Sequence, residues 1–133
     1  MKLRIALAQV NPTVGDLAAN AALVRENFKS AQEAGAHIVV FPEMVLTGYP
    51  VEDLALRPSF QIASQNALAE LAKSLIGKSV AIVGYLDQVD GAPQNMVAVI
   101  SDGVVSARYA KCHLPNKKDS FYLVGSSSLF HDP

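Results

Sequence analysis

LRIALAQVNPTVGDLAANAALVRENFKSAQEAGAHIVVF, residues 3–41, decides the fold. Leu3 to Val10 is rich in Ile, Leu and Val and stops at Asn11-Pro12, where proline removes a donor and disfavours helix at the residue before it; this predicts a strand. Asp16 stands where a helix cap belongs. From Leu17 the apolar positions Leu17, Ala21, Val24, Phe28 and Ala31 recur at alternating steps of four and three, the stripe of an amphipathic helix, and Gly35 occupies the place of a left-handed C-terminal cap. His37-Ile38-Val39-Val40-Phe41 then has the unalternated β-branched character of a strand covered on both faces. Strand, helix, strand is a βαβ unit, and the fold class is α/β.

Outward from this unit, Pro42 closes the second strand and residues 43–58 form a long irregular passage carrying Thr47-Gly48-Tyr49-Pro50; long ordered loops more often serve function than economy. Ser59 is placed to cap a second helix with an apolar face of Phe60, Ala67, Leu68, Leu71 and Leu75, ended by Gly77. Val80 to Leu86 and Gln94 to Ser101 read as strands joined across Asp90-Gly91. Asp102-Gly103 supplies the two-residue turn preferred by hairpins, so Val104 to Lys111 folds back antiparallel. The order is β-α-β-α-β-β-β in a mixed sheet. A weaker strand pattern follows at Phe121 to Val124. Two helices cannot cover both faces of such a sheet, so either a second copy of the chain or the remainder of a larger domain is expected against it.

At 133 residues, with hydrophobic residues at 50% and charged residues at 17%, the chain is one domain or part of one and too apolar for disorder. Eleven basic against 12 acidic side chains leave a formal charge of -1, too weak a field to gather nucleic acid or anionic membrane as partners. The first apolar stretch is short and holds Arg4 and Gln9, which argues against a signal peptide, and the longest apolar runs fall far short of a bilayer span. A cytoplasmic location is expected. Cys112 is the only cysteine, so no internal disulfide and no thiolate metal cage forms within the chain. His37, His113 and His131 lack metal-ligand spacing and are read as structural. Gly125-Ser126-Ser127-Ser128 lacks the lysine and helix of a phosphate loop, and no Gly-x-Gly-x-x-Gly occurs.

Glu43 lies just beyond the carboxyl end of a parallel strand, where open α/β sheets place ligand sites; a solvated surface carboxylate is the plain alternative. Lys111 ends the hairpin strand, where a lysine also serves simply to discourage strand pairing. Cys112 sits between Lys111 and His113, groups that lower a thiol pKa, but alternation along a strand sends Lys111 and Cys112 to opposite faces, so an incidental or buried thiol is the better reading.

Three stretches in register carry a resemblance: residues 5–16 (IALAQVNPTVGD), Val40-Phe41-Pro42-Glu43, and Lys111-Cys112-His113-Leu114-Pro115. In that order they resemble the nitrilase-type carbon-nitrogen hydrolases, over about residues 3 to 116. Residues 46–60 (LTGYPVEDLALRPSF) narrow the resemblance to the N-terminal glutaminase domain of the glutamine-dependent NAD synthetases. It implies an α-β-β-α sandwich and homo-oligomers built by further layer packing. It also implies a Glu-Lys-Cys triad acting on glutamine, yielding glutamate and ammonia through a thioester. Glu43 would be the general base and acid. Lys111 would stabilise the oxyanion, and Tyr49 would lie beside the bound glutamine. The family's nucleophilic Cys follows a later strand and has no counterpart here, so residues 1–133 read as an incomplete glutaminase domain without activity alone. Lys117-Lys118-Asp119-Ser120 stands where the synthetases carry a Tyr-Gly-Val-Phe-Asp-Glu run that helps recognise glutamine. The glutaminase part implies no cofactor; ATP and Mg belong to a synthetase domain of the parent protein, absent from this chain. A stand-alone amidase of the same superfamily and a non-catalytic assembly module are the competing readings.

Overall fold

The structure is a computed structural model and describes residues 2–112. Strand β1 (Ile5–Leu7), helix α1 (Leu17–Glu33), β2 (Ile38–Val40), a 3₁₀ helix (Glu52–Leu56), α2 (Pro58–Ser74), β3 (Val80–Val89), β4 (Ala92–Ser101) and β5 (Val104–Ala110) follow in that order. The expected β-α-β-α-β-β-β sequence is therefore present, with the 3₁₀ helix added. His113, the strand pattern at Phe121 to Val124, residues 117–120 and 125–128, and His131 lie outside the described residues.

The strands form one five-stranded sheet in the order β1-β2-β3-β4-β5. β1, β2 and β3 are parallel, and β4 and β5 complete it antiparallel. The α1 ends form as read: the Asp16 carboxylate accepts from the Ala19 N–H at 3.0 Å, and Gly35 takes φ 81°. Ser59 is not the cap of α2. Pro58 occupies the first turn and Arg57 the cap, with no side-chain bond, because proline's fixed φ and missing N–H suit the first helical position. Strand β1 is shorter than Leu3 to Val10 because its partner β2 has three paired positions to offer. Strands β3 and β4 are longer than expected, since Asp90-Gly91, both at positive φ, makes a two-residue hairpin turn as Asp102-Gly103 does.

Both helices pack on the same face of the sheet. Val24 and Phe28 of α1 and Leu68, Leu71 and Ala72 of α2 close over Val39, Ala81, Val83, Tyr85, Ala98 and Ile100, and Arg25 Nε donates to Ser74 Oγ between the helices at 3.1 Å. The expectation that β2 is covered on both faces is thereby corrected. Val39 is fully buried beneath the helices, but Ile38 and Val40, pointing the other way, are only half-buried. Right-handed crossovers from β1 to β2 to β3 progress in one direction, which puts both helices on one side. On the opposite face Ile5 and Leu7 are 50% and 70% exposed. Among the described residues that face is covered toward the end of β3, where Met44, Val51 and Ala55 from the loop after β2 bury Leu86.

Candidate active site

The chain leaves β2 with one more sheet bond, Phe41 N–H to the Ile82 carbonyl at 2.9 Å, and then turns. Val45 N–H bonds to the Pro42 carbonyl and Leu46 N–H to the Gly84 carbonyl, both at 3.2 Å, and Met44 takes φ 55°. The turn lies directly on β3 at Gly84. A Cβ there would sit 2.5 Å from Met44 N, 2.7 Å from Pro42 O and 3.0 Å from Glu43 C, all main-chain atoms. Only glycine leaves room for this turn to cross the strand. Asn20 anchors the next stretch: buried in α1, it accepts from the Thr13 N–H at 2.8 Å and donates to the Thr13 and Leu46 carbonyls at 2.7 and 3.1 Å.

Glu43 projects over the open face of the sheet. Lys111, at the end of β5, is held there by its own N–H on the Asn95 carbonyl at 2.9 Å, and its Nζ reaches Glu43 Oε1 at 2.8 Å. The folding of the chain thus brings together two residues 68 positions apart. The Asn95 side-chain amide also donates to Oε1 of Glu43. These groups line an open cavity of about 260 Å³ together with Phe41, Gly84 and Tyr109.

Burial acts on Glu43 most strongly and pushes its pKa up. The hydrogen bonds from Lys111 and Asn95 and the charge of Lys111 together outweigh it, and the carboxyl is held below its ordinary value of 4.5. Glu43 is therefore anionic at neutral pH. A partly desolvated carboxylate paired with an ammonium beside a cleft can accept a proton, and the ammonium can stabilise an oxyanion once the carboxylate is neutralised.

Tyr49 lies on the loop after Glu43, is 61% exposed, and is not among the residues lining the cavity. Cys112 is exposed, its Sγ turned to the Ala110 carbonyl at 3.5 Å, and it does not line the cavity either. It is an exposed thiol, not a buried one. His37 is structural: its Nδ1 accepts from the Arg4 N–H at 2.9 Å, linking the starts of β1 and β2. Asn95 and Gly84 escaped sequence reasoning. The one signal available was the pair Gln94-Asn95, two amides inside an otherwise apolar strand. Among the described residues no cluster of His, Cys, Asp and Glu is fit to hold a metal ion, and no helix is long and apolar enough to cross a membrane.

Residues 4–129 match the family model for carbon-nitrogen hydrolases. The chain belongs to that family. Among curated relatives, this carbon-nitrogen hydrolase chain is 44% identical over 117 residues to a glutamine-dependent NAD(+) synthetase of Rhodobacter capsulatus, covering 86% of this chain and 21% of the relative. It is 39% identical over 116 residues to the enzyme of that name from Thermotoga maritima, covering 86% and 20%. Of solved structures, the glutamine-dependent NAD+ synthetase of Acinetobacter baumannii superposes with a TM-score of 0.81 at 33% identity, over 90% of this chain and 22% of that one. An amidase from Nesterenkonia sp. shares the fold, with a TM-score of 0.73 at 21% identity over 93% and 49%. The chain thus spans about a fifth of the length of the synthetases it matches.

Proposed function

We propose that this chain carries the acid-base half of a glutamine amidohydrolase site whose ammonia serves NAD synthesis. The observation that carries the reading is the contact of Glu43 with Lys111 on the rim of a cavity, built from residues far apart in the sequence. In this reading Glu43 takes the proton of an attacking thiol. Once neutral, it no longer compensates Lys111, so the full charge of Lys111 becomes available as the oxyanion develops on the side-chain amide of glutamine. The proton on Glu43 then passes to the departing ammonia, and the freed carboxylate activates water against the thioester.

The thiol is assigned to a part of the parent protein beyond these residues, because Cys112 is not among the residues that line the cavity. Tyr49 is assigned to the substrate side, on a loop that the rest of the parent protein would frame. The glutaminase half uses no cofactor; ATP and Mg serve the separate synthetase part that consumes the ammonia. The open sheet face receives the rest of an α-β-β-α sandwich, and copies associate through further layers. The synthetase type is favoured over a stand-alone amidase by identity, 44% against 21%.

Ammonia release from glutamine tests the reading. The full-length parent protein should release it, and Glu43→Gln and Lys111→Ala should each abolish nearly all of it. The 133-residue chain alone should release none above its own Glu43→Ala control. Release by the short chain that Cys112→Ser removes would make Cys112 the nucleophile, and full activity in Glu43→Gln would end the proposal.

A further inference from the structure

We infer that Asn95 is a positioning residue which decides which oxygen of Glu43 handles the proton. By donating to Oε1, the oxygen that Lys111 also holds, it reserves Oε2 for exchange with the incoming thiol. The assignment of the thiol rests on the glutaminase reading; the geometry of Asn95 does not.

Asn95 is 8% exposed and sits on β4 between the two candidate residues. Its side chain holds Glu43 and its backbone carbonyl holds the Lys111 N–H at 2.9 Å, so one residue fixes both partners. Among the described residues no hydrogen bond falls on Oε2. A lysine alone would leave the carboxylate free to turn about its last torsion, which is broad and nearly two-fold, and so to exchange its oxygens. Two donors reaching one oxygen from different strands remove that freedom, and an ionised carboxylate oxygen has lone pairs for both. The amide is also neutral, so it orients the base without adding a second charge to the one Lys111 supplies. In the proton step the S–H bond breaks, its electron pair stays on sulfur, and an O–H bond forms at Oε2.

Among the described residues the titratable groups lining the cavity are Glu43, Lys111 and Tyr109; β3 and β4 contribute none there. The test is a pH titration of the ¹³C-labelled glutamate carboxyls of the 133-residue chain by NMR, with the Glu43 signal assigned through Glu43→Gln. Asn95→Ala should raise the Glu43 midpoint, and the isosteric Asn95→Asp should raise it further by setting an anion against the same carboxylate. A purely structural role would lower the melting temperature and leave the midpoint in place. An unchanged midpoint in either variant, with the amide spectrum of the fold intact, overturns the inference. In the full-length protein Asn95→Ala should reduce kcat for glutamine by up to about a hundredfold with little change in KM. Shifted midpoints in a full-length protein that never releases ammonia would uphold Asn95 as the positioning residue and count against the glutaminase reading alone.

Discussion

Gly84→Ala adds one methyl group at the place where the turn bearing Glu43 lies on β3. The neighbours it would meet are main-chain atoms of Pro42, Glu43 and Met44 at 2.5 to 3.0 Å, about an ångström inside ordinary contact, and none belongs to a side chain able to swing away. Two opposing terms set the magnitude. The alanine restricts the unfolded chain and by that route stabilises by roughly 0.4–1 kcal/mol, and the φ of Gly84 lies outside the left-handed region, so its backbone adds no strain. Overpacking against an unyielding backbone costs about 1–3 kcal/mol. The balance is a loss of roughly 1–2 kcal/mol, and the melting temperature should fall by about 3–8 °C. Calorimetry on the purified chain reads the first effect, and the side-chain amide resonance of Asn95 reads whether Glu43 has been pushed off its place. A variant that melts at or above the wild type with that resonance unmoved would show that Gly84 does not make way for the glutamate.

Glu43 also links stability to pH. Its folded pKa lies below the ordinary value of 4.5, so its contribution is complete above that pH and is lost as pH falls through the folded value. With both side chains 40–45% exposed and screened by water, the pair contributes less than about 1 kcal/mol. Urea denaturation from pH 7 down to 3 should therefore show a slightly shallower loss of stability in Glu43→Gln than in the wild type, and parallel curves would refute the pairing in solution. Asn20→Ala removes the clamp between Thr13 and Leu46 and takes the amide away from the buried Leu46 carbonyl and from the Thr13 N–H, for a loss of about 1–3 kcal/mol by the same assay; a loss under half of the lower figure would mean water replaces the amide. Leu7→Asp, at a 70% exposed position of the open sheet face, should change stability by no more than about 0.5 kcal/mol yet reduce self-association measured by light scattering. A wild-type chain that stays monomeric at every concentration tested would sink that last expectation.

The elements that could be read from sequence are those whose signal is local. Helix α1 has its cap at Asp16, its stripe and its Gly35 within 20 residues, and each forms as the local chemistry dictates. The hairpin at Asp102-Gly103 is equally local. The 3₁₀ helix Glu52–Leu56 was not legible, because five residues are too few to show a period. The buried amides Asn20 and Asn95 were not legible either, since what makes burial tolerable is a partner distant in sequence: Leu46, for instance, 26 residues away, supplies a carbonyl for Asn20 at 3.1 Å. The same limit applies to the site. Glu43 and Lys111 stand out through motifs at strand ends, but Asn95 acquires its role only from the register that places it opposite Leu86 on β3 and beside the N–H of Lys111.

That register raises a problem of distance which the sheet order alone does not solve. Glu43 leaves the end of β2 and Lys111 the end of β5, with β3 and β4 between them. At the usual spacing of hydrogen-bonded strands, the two backbones would stand roughly 14 Å apart, too far for a glutamate and a lysine rising straight from the sheet to share one oxygen. The observed bond of 2.8 Å requires the glutamate's backbone to travel sideways across β3. Gly84 is the point where it does so, because the missing side chain lets Pro42, Glu43 and Met44 lie on the strand itself. Asn95, on the next strand, then meets the carboxylate partway, and Lys111 arrives from the edge. The pair exists because a gap in β3 and a donor on β4 stand in line between its members. Gly84→Ala and Asn95→Ala should therefore both shift the titration of Glu43 upward, although neither replaces a charged residue. If only Lys111→Ala shifted it, the glutamate would be held by charge alone and the line across the sheet would be incidental.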